Sequence, residues 1–136
     1  MPVRWTVDVE VDERWYALHG LLADKPCPPS SCRTVELVDE HALIGRTSEA
    51  RQQFPAVALD EDTGVSRRHA QLVRDGDRLT VVDLSSTNGT YVVPMGDDPH
   101  EGTGSLLAGV PHELHDGDRV FCGAWSRLTF RSVRAG

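Results

Sequence analysis

Three short clusters hold the residue types that bind an anion. They are Ile44-Gly45-Arg46, then Val65-Ser66-Arg67-Arg68-His69-Ala70, then Asp83-Leu84-Ser85-Ser86-Thr87-Asn88-Gly89-Thr90. A phosphate dianion needs fixed donors. Arg46 offers a planar guanidinium fork that pairs with two of its oxygens. Ser66 supplies a hydroxyl, and backbone N–H groups of its loop can add to it. Arg67 is next in line, for the phosphate or for a neighbouring residue. Thr87 and Asn88 bring further polar groups from a separate loop. Covalent chemistry finds no comparable support. There is no Gly-rich P-loop, no nucleophile elbow and no paired-carboxylate signature. The reading is therefore a binding protein rather than an enzyme, with no catalytic residue and no cofactor. His112-x-x-His115 lacks helix signals and carboxylates in ligand spacing, so no metal is expected. Cys27-Pro-Pro-Ser-Ser-Cys32 has the wrong spacing for a zinc knuckle or a C-x-x-C redox pair. Free thiols are expected there, with a local disulfide as the rival. Cys122, on a predicted strand, reads as packed rather than reactive.

Composition narrows the setting. The chain has 136 residues, 39% apolar and 26% charged, ordinary for one compact folded domain. No apolar run approaches the length of a membrane helix, and Met1-Pro2-Val3-Arg4 does not begin a signal peptide, so a cytoplasmic location away from membranes is expected. The formal net charge of −7 argues against nucleic acid, whose binding rests on neutralising many phosphates. It leaves room for a small basic site. Lys25 is the only lysine among 14 basic residues, so a cationic contact here is almost always a guanidinium.

The elements that would position these clusters are strands. The dominant apolar period is two. Trp5, Val7, Val9 and Val11 share one face of a half-buried strand. Residues 24–34 hold three prolines and read as a loop. Val35–Val38 and His41–Ile44 read as two short strands joined by a turn at Asp39-Glu40. Residues 47–65 form a long polar segment, in which a helical turn at 48–53 would be stopped by Pro55. The clearest hairpin is 69–74 with 78–83, around Asp75-Gly76-Asp77. Further strands are expected at 90–93, 119–122 and 126–133, with an exposed loop over 94–109. The sum is an all-β sandwich of two mostly antiparallel sheets, about 11 strands, with little or no helix. Residues 1–33 would be an N-terminal strand, at an edge or first in order, and a Pro/Cys-rich loop packed on the core. Residues 34–136 would be the main unit.

Gly45-Arg46, Ser66-x-x-His69 and Asn88-Gly89 occur in that order, each leaving or entering a predicted strand. Over residues 34–133, and with the late Asp116-Gly117-Asp118 turn, this pattern resembles the bacterial type of forkhead-associated (FHA) domain, which reads phosphothreonine. The resemblance implies that Arg46, Ser66, Arg67 and Thr87 hold the phosphothreonine and that Asn88 hydrogen-bonds the bound peptide's backbone. It implies structural roles for His69, bracing the loops, for Gly45, permitting close backbone approach, and for Gly89, at positive φ. The implied partner is a phosphothreonine-containing protein, a Ser/Thr kinase or its substrate, bound by a monomer. The rival reading keeps the fold but makes it a phosphate-independent scaffold. A preference for threonine over serine follows from burying the γ-methyl, worth roughly 1 kcal/mol. Segment 47–65 is longer than the family pattern. Its Asp60-Glu61-Asp62 run would repel acidic peptides or select a basic residue.

Overall fold

The computed structural model describes residues 3–100 and 102–134. Ten strands, a short helix and a 3-10 turn follow one another: β1 (Val3–Val11), α1 (Glu13–His19), the 3-10 turn (Gly20–Leu22), β2 (Cys32–Leu37), β3 (His41–Gly45), β4 (Val57–Ala58), β5 (Arg68–Asp75), β6 (Arg78–Asp83), β7 (Thr90–Val93), β8 (His112–Leu114), β9 (Arg119–Cys122) and β10 (Ser126–Arg134). They form two five-stranded sheets, β2-β1-β10-β9-β7 and β4-β3-β5-β6-β8. Every pairing is antiparallel except the short one of β3 with β4.

The inner faces interdigitate as period-two patterning requires. Trp5, Val7, Val120, Leu128 and Phe130 of one sheet meet Ile44, Ala70, Leu72, Leu79 and Val81 of the other, all buried. The Asp75-Gly76-Asp77 hairpin joins β5 and β6 in the expected register, with Gly76 at φ +61°.

Several elements depart from the sequence reading. The first strand does not lie at an edge but runs between β2 and β10. The segments around 35–38 and 41–44 are not a hairpin, because β2 and β3 lie in opposite sheets and Val38–Glu40 crosses the sandwich. The polar segment 47–65 contains β4, whose Val57 is buried, and is anchored further by Leu59 and Val65.

The helix α1 was hidden by its length. Seven residues are too few to nucleate alone. It forms because Asp12 caps it, accepting the Trp15 N–H at 2.7 Å, and because Trp15 is buried whole. The indole stacks on Phe121 at 4.7 Å and donates Nε1–H to the Gly123 carbonyl at 3.0 Å. Arg127 ties this corner down, bridging Asp12 at 2.8 Å and Glu10 at 2.7 Å.

Candidate functional site

Three loops meet at one end of the sandwich: β3–β4, β4–β5 and β6–β7. A register shift and a backbone hydrogen bond bring the first two together. At Gly45 the β3–β5 register shifts, and Arg46 N–H donates to the Arg67 carbonyl at 3.2 Å. A Cβ built on Gly45 would lie 1.9 Å from that same carbonyl oxygen, so only glycine lets the strands pass. The Arg46 side chain then folds along the second loop. Its Nε–H donates to the Val65 carbonyl at 2.6 Å, next to Ser66. The terminal nitrogens of Arg46 have no partner among the described residues.

Ser66 links the second loop to the third. Its Oγ accepts the Thr87 N–H at 3.0 Å. With that lone pair occupied, the hydroxyl proton stays free to donate outward. The Ser66 amide is not free for an anion, contrary to the general expectation for its loop, because it donates to His69 Nδ1 at 3.0 Å. Asn88 turns its Nδ2 to the Gly64 carbonyl at 2.8 Å, while its Oδ1 meets no donor among the described residues.

Beneath these groups lies a buried brace. His69 is fully buried; besides accepting from Ser66, its Nε2–H donates to the Gly89 carbonyl at 2.9 Å. Those two bonds require the neutral Nε2–H tautomer. Burial pushes its pKa below the ordinary imidazole value, against the bond to Gly89 and the charges of Asp83 and Asp62. Gly89 has φ +90°. Asp83, at the end of β6, shapes the third loop. It accepts the Ser86 hydroxyl at 2.6 Å, the Ser86 amide at 3.2 Å and the Thr90 hydroxyl at 2.6 Å. Burial works against its charge, but the bonds from Ser86 and Thr90 and the neighbouring His69 outweigh that and hold the carboxyl below its usual range.

Asp62 is a second buried carboxylate, and the sequence reading missed its role. It accepts the amides of Gly64, Ala124, Trp125 and Ser126 and the Ser126 hydroxyl, at 2.7 to 3.2 Å. It pins the loop before Ser66 to the β9–β10 turn. Within the acidic run only Asp62 is buried, while Asp60 and Glu61 stay exposed. Asp62 points inward, Asp60 caps the Thr47 amide at 2.7 Å, and Glu61 pairs with Lys25 at 3.2 Å. Gln53 was also unforeseen; its Nε2 reaches the Arg67 carbonyl at 2.8 Å and braces the β3–β4 loop.

The charges sort themselves accordingly. Arg4, Arg14, Arg127 and Arg131 each reach a carboxylate. Arg46, Arg51, Arg67 and Arg68, all at the loop end, have no ion pair among the described residues. Arg33, Arg74, Arg78 and Arg119, on other strands, have no ion pair among the described residues either, so what marks the loop end as a candidate anion site is Arg46, whose guanidinium is bonded to the Val65 carbonyl next to Ser66. Among the described residues no cluster of His, Cys, Asp and Glu could hold a metal; His112 and His115 sit on and after β8, His115 beside Asp118 at 3.6 Å. Cys27 and Cys32 are free thiols, half-buried and exposed, and burial raises the Cys27 pKa. Cys122 is buried in the core.

Comparison with known proteins bears on both fold and site. The family model of the FHA domain matches residues 42–123, which include all three loops. The FHA domain-containing protein FhaA of Mycobacterium tuberculosis is 44% identical over 62 residues, 46% of this chain and 11% of that protein. The oxoglutarate dehydrogenase inhibitor of Corynebacterium jeikeium is 50% identical over 46 residues, 34% of this chain and 31% of that one. The chain thus spans about a third or less of these curated relatives. A structure from a study of phosphothreonine-dependent FHA domain interactions superimposes with a TM-score of 0.59 at 28% identity, covering 96% of this chain and 99% of that one. The FhaA FHA domain, solved in complex with the intracellular domain of Rv3910, gives 0.56 at 28% identity, over 92% and 99% of the two chains. The FHA domain of an Arabidopsis thaliana protein gives 0.65 at 16% identity, over 100% and 90%, and shares the fold.

Proposed function

The chain belongs to the FHA domain family, and on that premise we propose that it is a phosphothreonine-peptide binding module of Ser/Thr kinase signalling. The observation that carries this is the arrangement of Arg46, Ser66 and Thr87. The guanidinium is aimed by its bond to Val65, the hydroxyl is oriented by the Thr87 amide, and among the described residues no carboxylate pairs with either. In this reading Arg46 pairs with two phosphate oxygens and Ser66 donates to a third. Arg67 adds charge at the rim. The Thr87 side chain, exposed at the loop tip, flanks the phosphothreonine. The free Oδ1 of Asn88 accepts a peptide N–H, while its Nδ2 keeps the loop in place.

Residues 34–136 carry the module in this reading, and residues 1–33 complete it. The support is that β1 is an internal strand, without which β2 and β10 would lose their shared neighbour. The partner is a Ser/Thr kinase or one of its substrates. A cytoplasmic location follows from where such kinases find ATP. Among the described residues no helix is long and apolar enough to cross a membrane.

Fluorescence anisotropy with three otherwise identical peptides tests the reading. The phosphothreonine peptide should bind at least tenfold more tightly than its phosphoserine twin and more tightly still than the unmodified one. Equal binding of all three across a diverse peptide set would overturn the proposal in favour of a phosphate-independent scaffold.

A further inference from the structure

The outer faces of the two sheets treat their charges differently. On the sheet that holds β1, charged side chains pair among themselves: Arg4 with Glu36, Arg127 with Glu10, Arg131 with Asp8. That is how a sheet face meets water. The other sheet, β4-β3-β5-β6-β8, has no such ladder. Its inward residues Ala42, Leu72, Leu79 and Leu114 are buried, so alternation turns their neighbours along each strand outward.

The strand register sets these outward residues in rows. One row runs His41, Val73, Thr80, Glu113 from β3 across to β8. The next runs Leu43, Gln71, Val82. A third, at the mouth of the hairpin, holds Asp75 and Arg78. The five residues in the middle of this face are half-buried and uncharged, while His41, Glu113, Asp75 and Arg78 are exposed. Among the described residues none of those four enters an ion pair, although Asp75 and Arg78 stand opposite each other.

The unpaired groups are disposed symmetrically about the line between β5 and β6. His41 and Glu113 end their row at about 7 Å on either side of that line, and Asp75 and Arg78 flank it directly. A half-turn about an axis laid over the face along that line brings β3 over β8, and β5 over β6, of a second copy. Each histidine then meets a glutamate and each aspartate an arginine, twice over. Val73 and Val82 of both copies gather about the axis. An axis running across the strands would instead set β3 over β3 and lay no histidine on a glutamate.

We propose that this face pairs with a second copy of the chain in a two-fold, sheet-to-sheet dimer, in place of the monomer that the family resemblance implies. Charge complementarity names the occupant. A two-fold contact needs a surface that complements itself, whereas a different partner would need no such symmetry. The imidazole N–H can donate to the facing carboxylate whether or not the ring carries its second proton. Four strands about 4.8 Å apart and three rows about 6.7 Å apart give a footprint of roughly 400 Å² per copy. That is about half the area of a standard interface, so the dimer is weak and reversible. An axis along the strands also leaves both loop ends pointing the same way, so two candidate phosphate sites open side by side.

Sedimentation equilibrium of the whole chain at pH 7, from about 10 µM to about 1 mM, tests the proposal. The mass should rise with concentration from 15.0 kDa toward twice that value. H41E sets two carboxylates against each other at each contact and should weaken association about tenfold or more. E113K removes the acceptor and should also weaken it. The double variant H41E/E113K reverses each pair and should recover association to within about threefold of wild type. Unchanged urea midpoints in the variants separate a lost contact from a lost fold. A single species of 15.0 kDa at every concentration overturns the proposal. So does association that H41E and E113K leave unchanged, or that the double variant fails to recover, because the contact then lies elsewhere.

Discussion

The two ends of the sandwich are built from the same strands and use their polar groups in opposite ways. At the far end the groups close the fold. Trp5 Nε1–H donates to the Asp77 carbonyl at 3.1 Å, and the Val3 amide reaches Asp77 Oδ1 at 3.3 Å. Arg74 donates to the carbonyls of Val3 and Leu37, joining the two sheets. At the loop end the inward groups are equally well paired, through His69, Asp83 and Asp62, but an outer layer of guanidinium, hydroxyl and amide is left facing outward. The buried hydrogen bonds thus lie one layer below the candidate site. The buried brace carries the cost of holding donors that the fold itself does not use.

This contrast can be broken in graded ways. The largest effect should come from Asp62→Ala, which strands several buried donors at once. A loss of about 3–5 kcal/mol of stability is expected in urea unfolding. If stability barely moves, the brace is not what orders this end. Arg46→Ala should do the reverse. Phosphopeptide affinity should drop roughly a hundredfold in anisotropy titrations, about 3 kcal/mol, with the melting temperature unchanged.

His69 lies between the two layers and should couple them to pH. Its pKa is lowered in the folded state from the ordinary 6.5. The unfolded chain therefore binds a proton more readily than the native one, and stability falls as pH drops below about 6.5 toward the folded value. Protonation also places a proton on Nδ1, where Ser66 N–H now docks. Urea midpoints between pH 7.5 and 5.5 should decline in wild type and much less in a His69→Gln variant. Asp83 acts in a separate window. Its lowered pKa gives stability that is present above the usual carboxylate value of 3.8 and lost only as pH falls below it. The smallest effect is expected from Asp77→Ala at the far end. It should cost under about 1 kcal/mol, because its partners at 3.3 and 3.6 Å are weakly held, and leave phosphopeptide binding untouched.

Much of the fold was legible because its signals are local. Alternation in Val3–Val11 and the Asp-Gly turn at 75–77 each act within a few residues, and both appear as strands and hairpin. The three loop clusters were legible for the same reason: Gly45, Ser66 with His69, and Asn88-Gly89 each occupy the few positions where a strand ends. The helix α1 was not, since its stability comes from Trp15 meeting Phe121 more than a hundred residues later. Asp62 was misread because its bonding partners lie at 124–126, and an acidic run looks the same whether solvated or turned inward. Asp83 left a fainter trace, a carboxylate three residues before Ser86 in a turn-forming stretch.

The chain by itself determined the period of its strands, the places where they must turn and the chemical types offered at each turn, because these depend on neighbours along the backbone. Which sheet each strand joins, which carboxylates face inward, and that the Arg46 guanidinium of one loop bonds the Val65 carbonyl of another were decided only on closing the sandwich. Those outcomes depend on contacts between segments far apart in sequence, and no local rule weighs the burial and hydrogen bonding that such distant partners supply.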